Sequence, residues 1–176
     1  MDDKQIHHSS CQKNKFQTLF PVNVSFRYKV VSLLAVILVC CFIFYASSLP
    51  GYDLEDGSGI LGALKNFLSQ FLVSIFHQPA DVSVIGHFCE FALLSVTFVN
   101  LFHCYSSELK TFFLSILCTS LYGITDELHQ LFIPLRTCDP FDWFVDTLAA
   151  VFAAGVSLLI LRVKVKHSMN KRMKPN

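Results

Sequence analysis

Four apolar runs, each long enough to cross a lipid bilayer, leave few folds open to this chain. The first, Val30 to Ser48, has Ser32, Ser47 and Ser48 as its only polar residues and carries no charge. As a helix of 1.5 Å rise it covers about 28 Å, against roughly 30 Å of hydrocarbon in a bilayer. It is too long for the apolar segment of a signal peptide, and no clean small-residue cleavage site follows it. The second run is Ser83 to Phe102, with His87 and Glu90 near its start. The third begins at Thr111, stays uncharged to Thr125, and continues through Asp126, Glu127, His129 and Gln130 to Ile133. The fourth is Trp143 to Leu161, with Asp146 near its start. Composition agrees: 53% of the 176 residues are hydrophobic and only 15% charged, against roughly 25% charged in an average soluble domain. A soluble fold this small could not hide so much apolar surface. The same low charge excludes intrinsic disorder. With 14 basic and 13 acidic residues there is no net basic footprint for nucleic acid.

The charges also orient the spans. Lys4, Lys13, Lys15, Arg27 and Lys29 precede the first run, Lys110 lies between the second and third, and Arg162, Lys164, Lys166, Lys171, Arg172 and Lys174 follow the fourth. With both termini in the cytoplasm, twelve of the 14 basic residues lie inside and only Lys65 and Arg136 outside, as the positive-inside rule requires. Between the first two spans an acidic, glycine-rich stretch (Asp53 to Gly59) leads into Ile60, Leu64, Phe67, Leu68, Phe71 and Ile75 at helical spacing. That pattern predicts an amphipathic helix over Gly57 to Phe76, lying in the outer interface or capping the bundle. The chain thus divides into a basic cytoplasmic tail (1–29), a four-span membrane domain (30–161) and a second basic tail (162–176). The fold expected is all-α, a polytopic four-helix bundle with an outer amphipathic helix. The tails read as flexible segments held near anionic lipid.

In this topology the intramembrane charges gather at the outer end. His87 and Glu90 share a face at i,i+3, and Asp142 and Asp146 share one at i,i+4. Asp126, His129 and Gln130 share a face of the third span, and Glu127 widens that arc. Arg136 stands in the short connection between spans three and four. Five carboxyl groups against one arginine cannot all stay ionised in a dry site. They must be protonated, paired with histidine, solvated or neutralised by a bound cation. Imidazole and carboxylate together suit zinc or manganese, although no established metal-binding signature is present. The same residues are also able to act as a polar clamp between helices. The seven cysteines include no C-x-x-C pair and read as small apolar residues; topology alone would let Cys89 reach Cys138.

The residues that carry this cluster also carry a resemblance. His87-Phe88-Cys89-Glu90-Phe91 resembles the HFxEY stretch of VanZ-like membrane proteins. The set Tyr122, Asp126-Glu127-Leu128-His129-Gln130, Pro134, Arg136, Asp142 and Asp146 resembles that family's most distinctive run. Phe44 to Gly51 is similar to its aromatic-Ser-x-x-Pro-Gly segment. The resemblance covers roughly Val30 to Leu161. Basic residues often found before the span-two histidine are missing, Leu135 stands at a usual glycine, and Ala149 replaces another. The family takes its name from a protein linked to teicoplanin resistance in bacteria. The resemblance therefore implies a cell-envelope protein of the bacterial cytoplasmic membrane, with an outward-facing polar pocket for an envelope lipid precursor or a glycopeptide-related ligand. His87, Glu90, Asp126, Glu127, His129, Gln130, Arg136, Asp142 and Asp146 are its candidate ligand-binding residues. Two other readings stay open: an intramembrane hydrolase or transferase, with or without a divalent metal, and a structural or assembly subunit. No serine or cysteine nucleophile constellation is visible.

Overall fold

The computed structural model describes residues 24–50, 59–76 and 82–172. Most of the N-terminal basic tail, the acidic glycine-rich stretch and the last four residues lie outside them. The described residues form five helices and no strand: α1 (Phe26–Ser47), α2 (Gly59–Phe76), α3 (Val82–Phe102), α4 (Glu108–Gln130) and α5 (Pro140–Arg172). Helices α3, α4 and α5 pack against one another as a three-helix core. Helix α1 lies against α3 and α4, and the amphipathic α2 packs against α3.

The bundle is built for lipid. Large apolar side chains point outward, among them Leu38, Phe113, Leu121, Phe152 and Leu159. Its interior is lined by small or polar residues. Thr111, Ser115, Thr119 and Gly123 form one buried stripe along α4, and Ala149, Ala150, Ala153 and Ala154 form another along α5. Small residues let helix backbones approach closely, which is what packing must achieve where lipid removes the hydrophobic drive between helices. The Ser95 hydroxyl donates across the α3–α5 contact to the Ala150 carbonyl at 2.9 Å. Larger side chains fill two clusters. One joins Val39, Ile43, Phe91, Leu94 and Ala149; the other joins Val99, Ala154 and Leu158.

Among the described residues, three helices are long and apolar enough to cross a membrane: α1, Val84–Phe102 of α3, and Pro140–Lys164 of α5. The third expected span, α4, has the length, with 23 residues. It falls short in apolarity because Asp126, Glu127, His129 and Gln130 occupy its last two turns. Its lipid-facing side is nonetheless continuous, since Phe113, Leu117, Leu121, Ile124 and Leu128 are exposed at i,i+3 and i,i+4 steps. Helix α4 also stops at Gln130, three residues before the end of its apolar run, and Leu131 caps it.

Helix α5 differs from expectation at both ends. It starts at Pro140 rather than Trp143. Asp139 caps it by accepting the Phe141 N–H at 2.8 Å, and Pro140 fills the first helical position, where no N–H is needed. At the other end the helix runs on through Arg172, so residues 162–172 form a helical extension where a flexible tail was expected. The cluster of basic residues after Leu161 marks where apolarity ends, not where the helix does. Lysine and arginine are good helix formers.

Candidate polar site at one end of the bundle

The end of α1, the start of α3, the end of α4, the α4–α5 connection and the start of α5 meet at one end of the molecule. His87, Asp126, Glu127, Gln130 and Asp146 are all less than a tenth exposed there. Glu90 is half-buried one turn along α3, within electrostatic reach of His87, Asp126 and Asp146. Asp142 is half-buried one turn before Asp146. The site divides into two parts with different hydrogen bonding.

The first part is saturated and ties α4 to α1. The Ser47 hydroxyl donates to Asp126 Oδ1 at 2.6 Å, and Gln130 Nε2 donates to Asp126 Oδ2 at 3.1 Å and lies 3.3 Å from Ser47 Oγ. Ser48 Oγ lies 3.0 Å from His129 Nε2, and the His129 ring stacks on Phe44 with centroids 4.4 Å apart. Arg136 pairs with no carboxylate in these bonds; its Nε donates to the Leu49 carbonyl at 3.3 Å and Nη2 reaches the Ala46 carbonyl at 3.5 Å. A cation on the last carbonyls of α1 satisfies them and complements the helix dipole. Tyr122 adds a further tie, donating to the Cys40 carbonyl at 2.7 Å.

The second part is not saturated. His87 Nδ1 and Asp146 Oδ1 are 3.3 Å apart, yet without hydrogen-bond geometry, and His87 Nδ1 and both Asp146 oxygens have no hydrogen-bond partner. Glu127 stands beside them: one ligand atom from each of His87, Glu127 and Asp146 lies within 4.8 Å of the others. Glu127 is itself held in place, accepting the Asp139 N–H at 2.8 Å on Oε2 and Gln130 Nε2 at 3.4 Å on Oε1. Gly123 faces the group from one turn down α4. A Cβ there would meet Asp146 Oδ2 and Trp143 Cδ1 at 3.3 Å, so the absence of a side chain lets α4 and α5 close around the carboxylate.

His129 lies on the side of α4 that meets α1, as Asp126 and Gln130 do, and is half-buried there. Glu127, expected at the edge of that face, is fully inside. Three residues escaped the sequence reading: Ser47 and Ser48, whose hydroxyls meet Asp126 and His129, and Asp139, whose backbone holds Glu127. The available signal was the pair of serines closing an otherwise apolar span, within the segment that carries the family resemblance. Cys89 and Cys138 are both free.

The VanZ/LLP1 family model matches residues 32–162, from the first turns of α1 to the basic edge of α5. The chain belongs to the VanZ/LLP1 family. No curated protein and no solved structure matches it. Membership covers every residue of the polar site, and it makes one departure legible. Leu135, which the resemblance sets at a usual glycine position, adopts a φ of 60°. This is the left-handed region that glycine enters without steric cost and a leucine enters only under strain. The turn carries Arg136 back to α1.

Proposed function

We propose that this VanZ/LLP1 membrane protein holds a cell-envelope ligand, a lipid precursor or a glycopeptide-related molecule, at the polar end of its bundle. It thereby contributes to teicoplanin-type tolerance in a bacterial cytoplasmic membrane. Both termini face the cytoplasm in this reading, which turns the polar end outward, where such ligands are found. One observation carries it: the buried carboxyl groups of the core helices, with His87, are collected at a single end, and ionisable groups within membrane helices are costly enough that they mark function. A polar headgroup of matching hydrogen-bonding character would meet carboxyl, imidazole and amide groups already fixed in place by α1 and the α4–α5 connection.

The test separates chemistry from packing. Asp126→Asn and Glu127→Gln keep shape and much hydrogen bonding while removing the capacity for negative charge. At least one is expected to abolish the teicoplanin tolerance the protein confers, with membrane expression near normal. Full tolerance with both groups neutralised would leave only a clamp. The proximity of His87 to Asp146 favours one second reading, an intramembrane hydrolase or transferase in which the pair manages a proton at the membrane surface. Turnover of a lipid-linked substrate by the purified chain, lost in His87→Gln, would support it.

A further inference from the structure

We infer that His87, Glu127 and Asp146 form a binding site for a first-row divalent cation, zinc or manganese. The three come from three different helices, α3, α4 and α5, and each is at least nine-tenths buried. Their ligand atoms lie within 4.8 Å of one another. Bonds of about 2.0–2.2 Å to nitrogen and oxygen would set ligand atoms about 3–4 Å apart around one ion, so the three need draw in by only about an ångström.

Hydrogen bonding points the same way. Elsewhere at this end the buried polar groups are bonded: Asp126 to Ser47 and Gln130, Glu127 to the Asp139 N–H. His87 Nδ1 and both oxygens of Asp146 are the exceptions, buried without a hydrogen-bond partner; Nδ1 and Oδ1 meet only as a 3.3 Å ion pair, with a Glu127 oxygen within 4.8 Å. Such groups carry a large desolvation cost unless something compensates it. Two carboxylates and a neutral imidazole would balance a dication in charge, which is the condition for burying all of them together.

Glu127 already has the outer partners that orient a metal ligand, the Asp139 N–H and the Gln130 amide. Gly123 keeps the flank of Asp146 free of a side chain. The donor set selects the ion. Imidazole with carboxylate suits zinc and manganese, whereas magnesium prefers an octahedron of oxygens. Three protein ligands leave a coordination position for an exogenous oxygen.

The full chain, purified in detergent and stripped by a chelator, should bind about one equivalent of Mn2+. Its Tm should rise on adding Zn2+ or Mn2+ and not on adding Mg2+. Manganese also discriminates against the thiols, which prefer softer ions. Asp146→Asn, Glu127→Gln and His87→Gln should each weaken Mn2+ binding by about tenfold or more. Glu108→Gln, at the other end of the bundle, should leave it unchanged. No Tm response of the unmodified chain to either ion overturns the inference, and this arm needs no variant to fold. Mn2+ binding that survives all three substitutions overturns it too. Neither readout involves a glycopeptide, so failure of the tolerance assay and failure of the metal site are distinguishable.

Discussion

The two ends of the bundle are held together by different means. At the polar end, side chains bond across long separations in sequence: Ser47 to Asp126, Ser48 to His129, Arg136 to the carbonyls of α1. At the other end most side-chain bonds are local. His103 Nδ1 and Cys104 reach carbonyls one turn back, as does Ser115. Several contacts that cross there lie at the surface: Arg162 with Glu108, Lys29 over the Tyr105 ring, and Tyr28 with Asn100 at 3.4 Å; the Tyr28 ring also meets the buried His103 edge-on. Apolar packing of Val99, Ala154 and Leu158 supplies the remaining cohesion. A chain that needed only to fold in lipid could use the second scheme throughout. Burying carboxyl groups at one end costs stability, and the bonds around them recover part of that cost while fixing their positions.

Four substitutions would break or sharpen this contrast, the largest effect first. Gly123→Leu forces a side chain between Asp146, Trp143 and Phe91, all within 3.4 Å of where its Cβ would stand. It should destabilise the purified protein by about 2–3 kcal/mol, read as a fall in Tm in detergent; an unchanged Tm would mean that the α4–α5 contact is looser than described. Ser47→Ala removes the 2.6 Å bond to a buried carboxyl and should cost about 1–2 kcal/mol. A neutral result would remove the claim that α1 is clamped through Asp126. Leu135→Gly relieves the left-handed backbone at φ 60° and should gain about 1 kcal/mol, a rise in Tm that Leu135→Ala should not reproduce. Arg162→Gln breaks an exposed pair at the other end and should shift stability by less than about 0.5 kcal/mol. A loss as large as that of Ser47→Ala would erase the difference between the ends.

The parts of the molecule that were legible beforehand share a cause. Apolar runs and periodicity revealed α1, α2, α3 and most of α4, because a membrane helix must satisfy its backbone internally and keep its lipid face apolar. The gathering of His87, Glu90, Asp126, Glu127 and Asp146 at one end followed from antiparallel spans with charges at alternate termini. The role of Ser47 and Ser48 did not, because two hydroxyls at the end of a span carry no periodic signature and their partners lie 79 and 81 residues away. That the arc of Asp126, His129 and Gln130 would meet α1 was hidden for the same reason. Helical wheels describe one helix at a time and cannot say which neighbour a given arc will meet. The division into saturated and unsaturated halves rests on hydrogen-bond geometry, which spacing alone does not contain.

Helix α5 has one more consequence, which concerns depth. Its 33 residues make a rod of about 50 Å, well beyond the roughly 30 Å of hydrocarbon. The overhang carries Arg162, Lys164, Lys166, Lys171 and Arg172, and basic residues beyond a span favour the level of anionic lipid phosphates. A rigid rod pinned at one leaflet is a gauge. Counting from Arg162 back to Asp146, sixteen residues at 1.5 Å set the carboxylate about 24 Å away, several ångströms short of the opposite headgroups. On the proposed reading, the draught of the whole bundle, and with it how far a ligand must dip to reach Asp146, would be calibrated by a stretch of basic helix on the far side of the membrane.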